Sequence, residues 1–327
     1  MQSRPQRFLV IAASLLAAAP ATGRTLVVGP GEAFDDPADA ARAVQDGDSV
    51  LIRAGTYYGC ASWRANGITV AGDGPDTVLS DVGCEGKAAF VISGKDVTVR
   101  DLSLTRVRVP DGNGAGIRAE GADLRVERVR FINNQRGIVA GDRPGSTIRV
   151  LSCEFSAIGT PGDPRPSPAI GVGGIEQLEV RDSTFRDPRA GNAVSSAAGH
   201  TVLVGNHVVA PGNPPAIQLS AAAELSANQF ELTAGEGQRA AILLTGTGPA
   251  TVTDNRLGNS GNPAVLVLDW RDGSPTLAGN TVPPADAEVS TSGALVHTAK
   301  TTARSGMDAA RGLLGVAKRE LKAVLGR

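Results

Sequence analysis

The side chains best suited to chemistry concentrate between residues 106 and 143. Arg106, Arg108, Asp111 and Asn113 lead into Arg118 and Glu120. Arg136, Asp142 and Arg143 occupy equivalent places one repeat later. Guanidinium groups grip carboxylates and sulfates through paired N–H donors. The set therefore reads as an arginine-rich groove for acidic groups, edged by two or three carboxylates. Without a ligand the same charges make a solvated ion-pair surface. An arginine is a demanding choice of base, because its pKa lies far above neutrality.

Other chemistries find less support. His200 and His207 stand on either side of an apolar strand pattern and are not expected to meet. The chain has three cysteines, Cys60, Cys84 and Cys153. Cys60 and Cys84 lie close enough in sequence to pair in an oxidising compartment. Cys153 falls within a strand pattern and reads as a small buried residue. There is no CxxC pair for zinc and no cluster of three acids for Ca²⁺ on an exposed strand face, so no metal or cofactor is expected. Lys and Arg number 32 against 33 Asp and Glu, a balance that argues against nucleic acid as a partner.

The elements that must position these residues follow from an internal repeat. A small residue and an apolar pair open each unit: Phe90, Ile117, Ile138, Ile170, Val194, Ile217, Ile242 and Val265. Their spacing is that of solenoid coils. A second register runs through Leu104, Phe131, Phe155, Phe185, Val208, Phe230, Leu257 and Val282. Two residues before the last four stand Asn206, Asn228, Asn255 and Asn280. Stacked about 4.8 Å apart, these amides would hydrogen-bond one another in an Asn ladder at a buried bend. Strand alternation sends Ile117/Ala119, Ile170/Val172, Ile217/Leu219, Ile242/Leu244 and Val265/Val267 inward. It leaves an outer stripe of Val91, Arg118, Val139, Gly171, Ser195, Gln218, Leu243 and Leu266. In the second strand Arg100 and Glu127 share one outward column, and Arg125, Arg149 and Glu179 the other, a pattern explained by cross-rung ion pairs. The fold predicted is all-β, a right-handed parallel β-helix.

The opening run Thr25–Gly31, the run Gly47–Ile52 ending in Ala54-Gly55-Thr56-Tyr57, and Ile68–Gly74 resemble the start of pectin-lyase-like β-helix proteins. Between them Pro37 to Gln45 reads as a short helix, with Asp36 as N-cap and Pro37 in the first turn. The resemblance implies that this helix plugs the open end of the bore. It also implies action on acidic polysaccharides, as a lyase or a uronan C5-epimerase. This sequence lacks the Asp-Pro-His-Asp run of such epimerases and the Asp pair and Gly-His-Gly of polygalacturonases. Binding of an extended acidic polysaccharide is the main expectation. Lyase or epimerase activity and a non-catalytic structural or protein-interaction role stand as alternatives.

The ends of the chain carry an address. Arg4 and Arg7 precede an apolar run, Phe8 to Ala19, and Ala19-Pro20-Ala21 offers small residues for cleavage. Residues 1–21 read as a signal peptide, which directs the protein to the periplasm or the exterior. The solenoid is expected over 22–285 and a linker over 286–302. Residues 303–327 form a basic amphipathic pattern with Met307, Ala310, Leu314, Ala317, Leu321 and Val324 on one face. That helix suits docking on the solenoid itself, on a partner or on a membrane surface.

Overall fold

The computed structural model describes residues 23–291, except 163–166, 213, 234–238, 260–262, 272 and 285. The expected signal segment and C-terminal helix lie outside the described residues.

Over the described residues the chain winds into a right-handed parallel β-solenoid with a ten-stranded sheet on one side and an eighteen-stranded sheet folded around the others. Every strand pair within these sheets is parallel, and the first-strand anchors stack: Phe90 on Ile117, Ile117 on Ile138, Ile138 on Ile170, then Val194, Ile217 and Ile242. Second-strand residues Val97/Val99, Leu124/Val126, Ile148/Val150 and Leu178/Val180 fill the same core. The bore is solid. Phe155 lies parallel between Phe131 and Phe185, at centroid distances of 4.6 and 4.8 Å.

The last coil departs from the expected register. Ile242 pairs with Val267, not Val265, and Leu243 with Leu268, not Leu266. Leu266 enters the core, whereas Val265 packs outside it with Ala240, Leu243 and Leu268. The run Ala264–Leu268 is apolar throughout, so alternation alone does not tell its faces apart. The expected linker also opens with a strand, Ala287–Thr291, which pairs with Ala264–Asp269.

The short helix spans Pro37–Ala43, two residues less than expected, because Val44 turns extended. Asp36 caps it by accepting from Ala38 N at 2.7 Å. Its residue Ala40 is fully buried against the first coils.

One bend owes its shape to a column of left-handed residues: Asp101, Arg128, Ser152, Asp182, Gly205, Ala227, Asp254 and Gly279, with φ between 49 and 67°. The next residue in each coil faces inward. From Asn206 onward that residue is asparagine. Asn206 Nδ2 donates to Asn228 Oδ1 at 2.9 Å, Asn228 Nδ2 to Asn255 Oδ1 at 2.9 Å, and Asn255 Nδ2 to Asn280 Oδ1 at 3.1 Å. Each Oδ1 also accepts the backbone N–H of the asparagine before it. The column continues backwards through Ser183 and Cys153, whose N–H groups reach Asn206 Oδ1 and Ser183 Oγ. Polar groups at a buried bend are thus satisfied by the following coil.

Candidate functional site on the outer face of the ten-stranded sheet

Strands Ala61–Trp63, Ala88–Ile92, Ala115–Ala119 and Arg136–Ala140 lie side by side, so Ser62, Val91, Arg118 and Val139 form one outward column. A tight turn lies beside them. Cys84 N donates to Ala88 O at 2.8 Å, and Glu85 and Gly86 take left-handed conformations between. A disulfide joins Cys84 to Cys60, whose Cα lies 5.4 Å away just ahead of the first of these strands. The turn is thereby pinned to the sheet.

Its two charged residues enter an ion-pair network. Lys87 Nζ lies 3.1 Å from Glu85 Oε2 and 2.7 Å from Glu120 Oε1. Ser62 Oγ donates to Glu85 Oε1 at 3.0 Å, and Arg64 Nη2 stands 3.5 Å from the same oxygen. Arg118 Nε is 3.7 Å from Glu120 Oε1, yet this buried nitrogen has no hydrogen-bond partner. Arg143 Nη2 donates to the Glu120 carbonyl at 2.5 Å. Arg118, Glu120, Asp142 and Arg143 line a cleft of about 190 Å³.

The electrostatics fix the protonation states. Hydrogen bonds to Glu120 and Glu85 raise the Lys87 pKa, and those from Lys87 and Ser62 lower that of Glu85. At neutral pH Lys87 is an ammonium and Glu85 a carboxylate. The network presents fixed charges and donors for anions, and Lys87 as it stands has no lone pair with which to act as a base.

The nine residues expected to share one groove divide. Arg118, Glu120, Asp142 and Arg143 meet in the cleft, though Asp142 Oδ1 accepts Gly174 N at 2.7 Å and shapes a turn. Arg106 is held by a bidentate pair to Asp81, both contacts 2.9 Å. Arg108 donates to Asn133. Asn113 closes on Asp111 within its own loop, at 2.9 and 3.0 Å. Arg136 begins its strand beside Ala115. These five sit at or before the strand starts, whereas the cleft opens at the strand ends, so stacking does not unite the two groups. Glu85 and Lys87 escaped the sequence reading; their signal was a Glu-Gly-Lys turn directly after a pairing cysteine.

The remaining expectations resolve as local pairs. Arg149 Nε lies 3.2 Å from Glu179 Oε2 across a rung. Glu127 pairs with Arg125 and Arg128, not with Arg100, which turns to Asp101. His200 and His207 do not meet, and face Glu224 and Glu231 at 3.4 and 3.1 Å. Cys153 is buried, which pushes its thiol up to about 12. Among the described residues no group of three His, Cys, Asp or Glu is arranged to hold a metal ion.

Fold and site together define a parallel β-solenoid with a charged cleft at the strand ends of its ten-stranded sheet. Among solved structures, an alginate lyase from Paenibacillus sp. str. FPU-7 is similar at 16% identity and a TM-score of 0.47, over 82% of this chain and 99% of that one. Pectin methylesterase from carrot is similar at 12% identity and a TM-score of 0.37, over 85% and 92%. The A-module of the Azotobacter vinelandii mannuronan C-5 epimerase AlgE4 is similar at 18% identity and a TM-score of 0.32, over 74% and 70%. Likeness at this level carries no argument about the chemistry of the site. No family model matches the sequence, and no curated protein matches it.

Proposed function

We propose that the protein is an exported solenoid that binds an extended acidic polysaccharide along the outer face of its ten-stranded sheet. The observation that carries this reading is the Arg118 guanidinium. Its side chain is 35% exposed, its Nε stands 3.7 Å from Glu120 Oε1, and it lines a cleft shared with Arg143, next to the Lys87–Glu120 pair. A polymer carboxylate entering there meets the exposed part of that guanidinium and competes with Glu120 for the Lys87 ammonium. Residues 1–21 serve export in this reading.

Electrophoresis of the full chain through native gels containing acidic or neutral polysaccharides tests the proposal. Retardation by an acidic polymer, weakened by added salt, is expected. Unchanged mobility across the panel would overturn it.

A further inference from the structure

A second set of arginines lies at the bend that leads into the ten-stranded sheet. There too a left-handed residue recurs in successive coils: Asp81, Arg106, Asn133, Ala157 and Asp187, with φ between 51 and 69°. Backbone hydrogen bonds step along this column, from Arg106 N to Ile132 O, from Asn133 N to Ser156 O and from Ala157 N to Arg186 O. Arg106 meets its charge partner, Asp81, in the neighbouring coil.

Among the described residues Arg108 has no such partner. Its Nη2 donates to Asn133 Oδ1 at 2.6 Å, and its Nη1 to the Asn133 and Val107 carbonyls at 2.5 and 3.0 Å. Arg189, from two coils further on, donates to the same Asn133 Oδ1. Two guanidiniums therefore converge on one neutral oxygen. Among the described residues no carboxylate lies within ion-pair distance of either. Partial desolvation and the Arg189 charge lower the pKa of Arg108 and outweigh the more distant Asp81 carboxylate, which raises it.

The arrangement is built into the backbone. Val107 N donates to Asn134 Oδ1 and Val109 N to Gln135 Oε1, both at 2.9 Å, so buried amides of the next coil clamp the chain on each side of Arg108. Asn134 is anchored in turn on Leu104 O at 2.9 Å. Arg189 N is fixed on Ile158 O at 2.8 Å. Holding like charges together by rigid elements costs repulsion that a bound anion relieves, and preorganised donors lose little entropy on binding.

We infer that Arg108 and Arg189, converging on Asn133, form a binding site for a tetrahedral oxyanion, a phosphate or sulfate group. Two guanidiniums sharing one neutral acceptor match a doubly charged oxyanion better than a single carboxylate. The inference does not rest on the polysaccharide reading, because Arg108 and Arg189 take no part in the cleft.

Thermal unfolding of the full chain, at constant ionic strength, tests it with inorganic phosphate and with inorganic sulfate as the titrants. Saturable rises in Tm of about 3 °C are expected, with chloride giving none. The larger rise identifies the preferred ion. Arg189→Gln should abolish the rise. So should Asn133→Asp, which places a carboxylate between the two guanidiniums and, at a left-handed position that aspartate tolerates, keeps the fold. Retardation by an acidic polymer should survive Arg189→Gln, so either reading can fail alone. A phosphate or sulfate response that persists in both variants, or its absence from the unaltered protein, would overturn the inference.

Discussion

Lys87 Nζ stands 2.7 Å from Glu120 Oε1, which ties a turn ahead of one strand to the far end of the strand in the next coil. The contact bridges two neighbouring strands, and the Cys60–Cys84 disulfide joins the turn that carries Lys87 to the coil before. It also brings Lys87 into the neighbourhood of Arg118, whose Nε faces the same carboxylate oxygen.

The disulfide should therefore matter to both stability and site. Replacing Cys60 and Cys84 by serine removes a cross-link with a sequence separation of 24 and is expected to cost about 3 kcal/mol. Urea unfolding monitored by circular dichroism measures it. Polymer retardation of the double variant, under conditions where it stays folded, should also weaken, because Lys87 loses its fixed position.

The asparagine column makes a sharper demand on the interior. Asn228→Ala strips Asn206 N and Leu203 O of their partners inside a buried bend. Leaving such groups unsatisfied is expected to cost about 3 kcal/mol. Asn280→Ala, at the end of the column and only partly buried, should cost less. Denaturant midpoints of the two variants give the comparison, and equal losses would contradict the stacked account.

Acid should act at the first coil. Hydrogen bonds from the Arg24 guanidinium and the Gln45 N–H lower Asp48 from its usual 3.8 to about 2. A carboxylate with a depressed folded-state pKa stabilises the fold above its unfolded value, and the contribution disappears as pH falls through the folded one. Stability should drop between pH 3.8 and about 2, and Asp48→Asn should flatten that part of the profile. Urea titrations across this range provide the test.

Much of the fold was readable because its signals are local and repeated. Ile117, Ile138, Ile170, Val194, Ile217 and Ile242 carry the register in side chains that are apolar beside a small neighbour. At Ala264–Leu268 that contrast is absent, and the pattern alone slips by two. The bend column shows a different limit. Gly205 and Gly279 announce left-handed backbone, but Arg128 and Ala227 adopt it under tertiary constraint, which no composition signals. The site was half legible for a similar reason. Arg118, Glu120 and Arg143 follow from strand order, whereas Lys87 reaches them only through a turn whose course depends on the disulfide. Arg106 and Arg108 look equivalent in sequence, yet one coil supplies Asp81 to the first and another supplies neutral Asn133 to the second.

The most direct test of the outer face as a polymer site is the dissociation constant for the acidic polysaccharide that retards the protein, measured with the Lys87→Gln, Arg118→Gln double variant. Each charge-assisted contact is worth about 1.5–3 kcal/mol, so affinity should fall by at least tenfold while the unfolding midpoint changes little. Affinity equal to that of the unaltered protein would show that the polymer does not use this face.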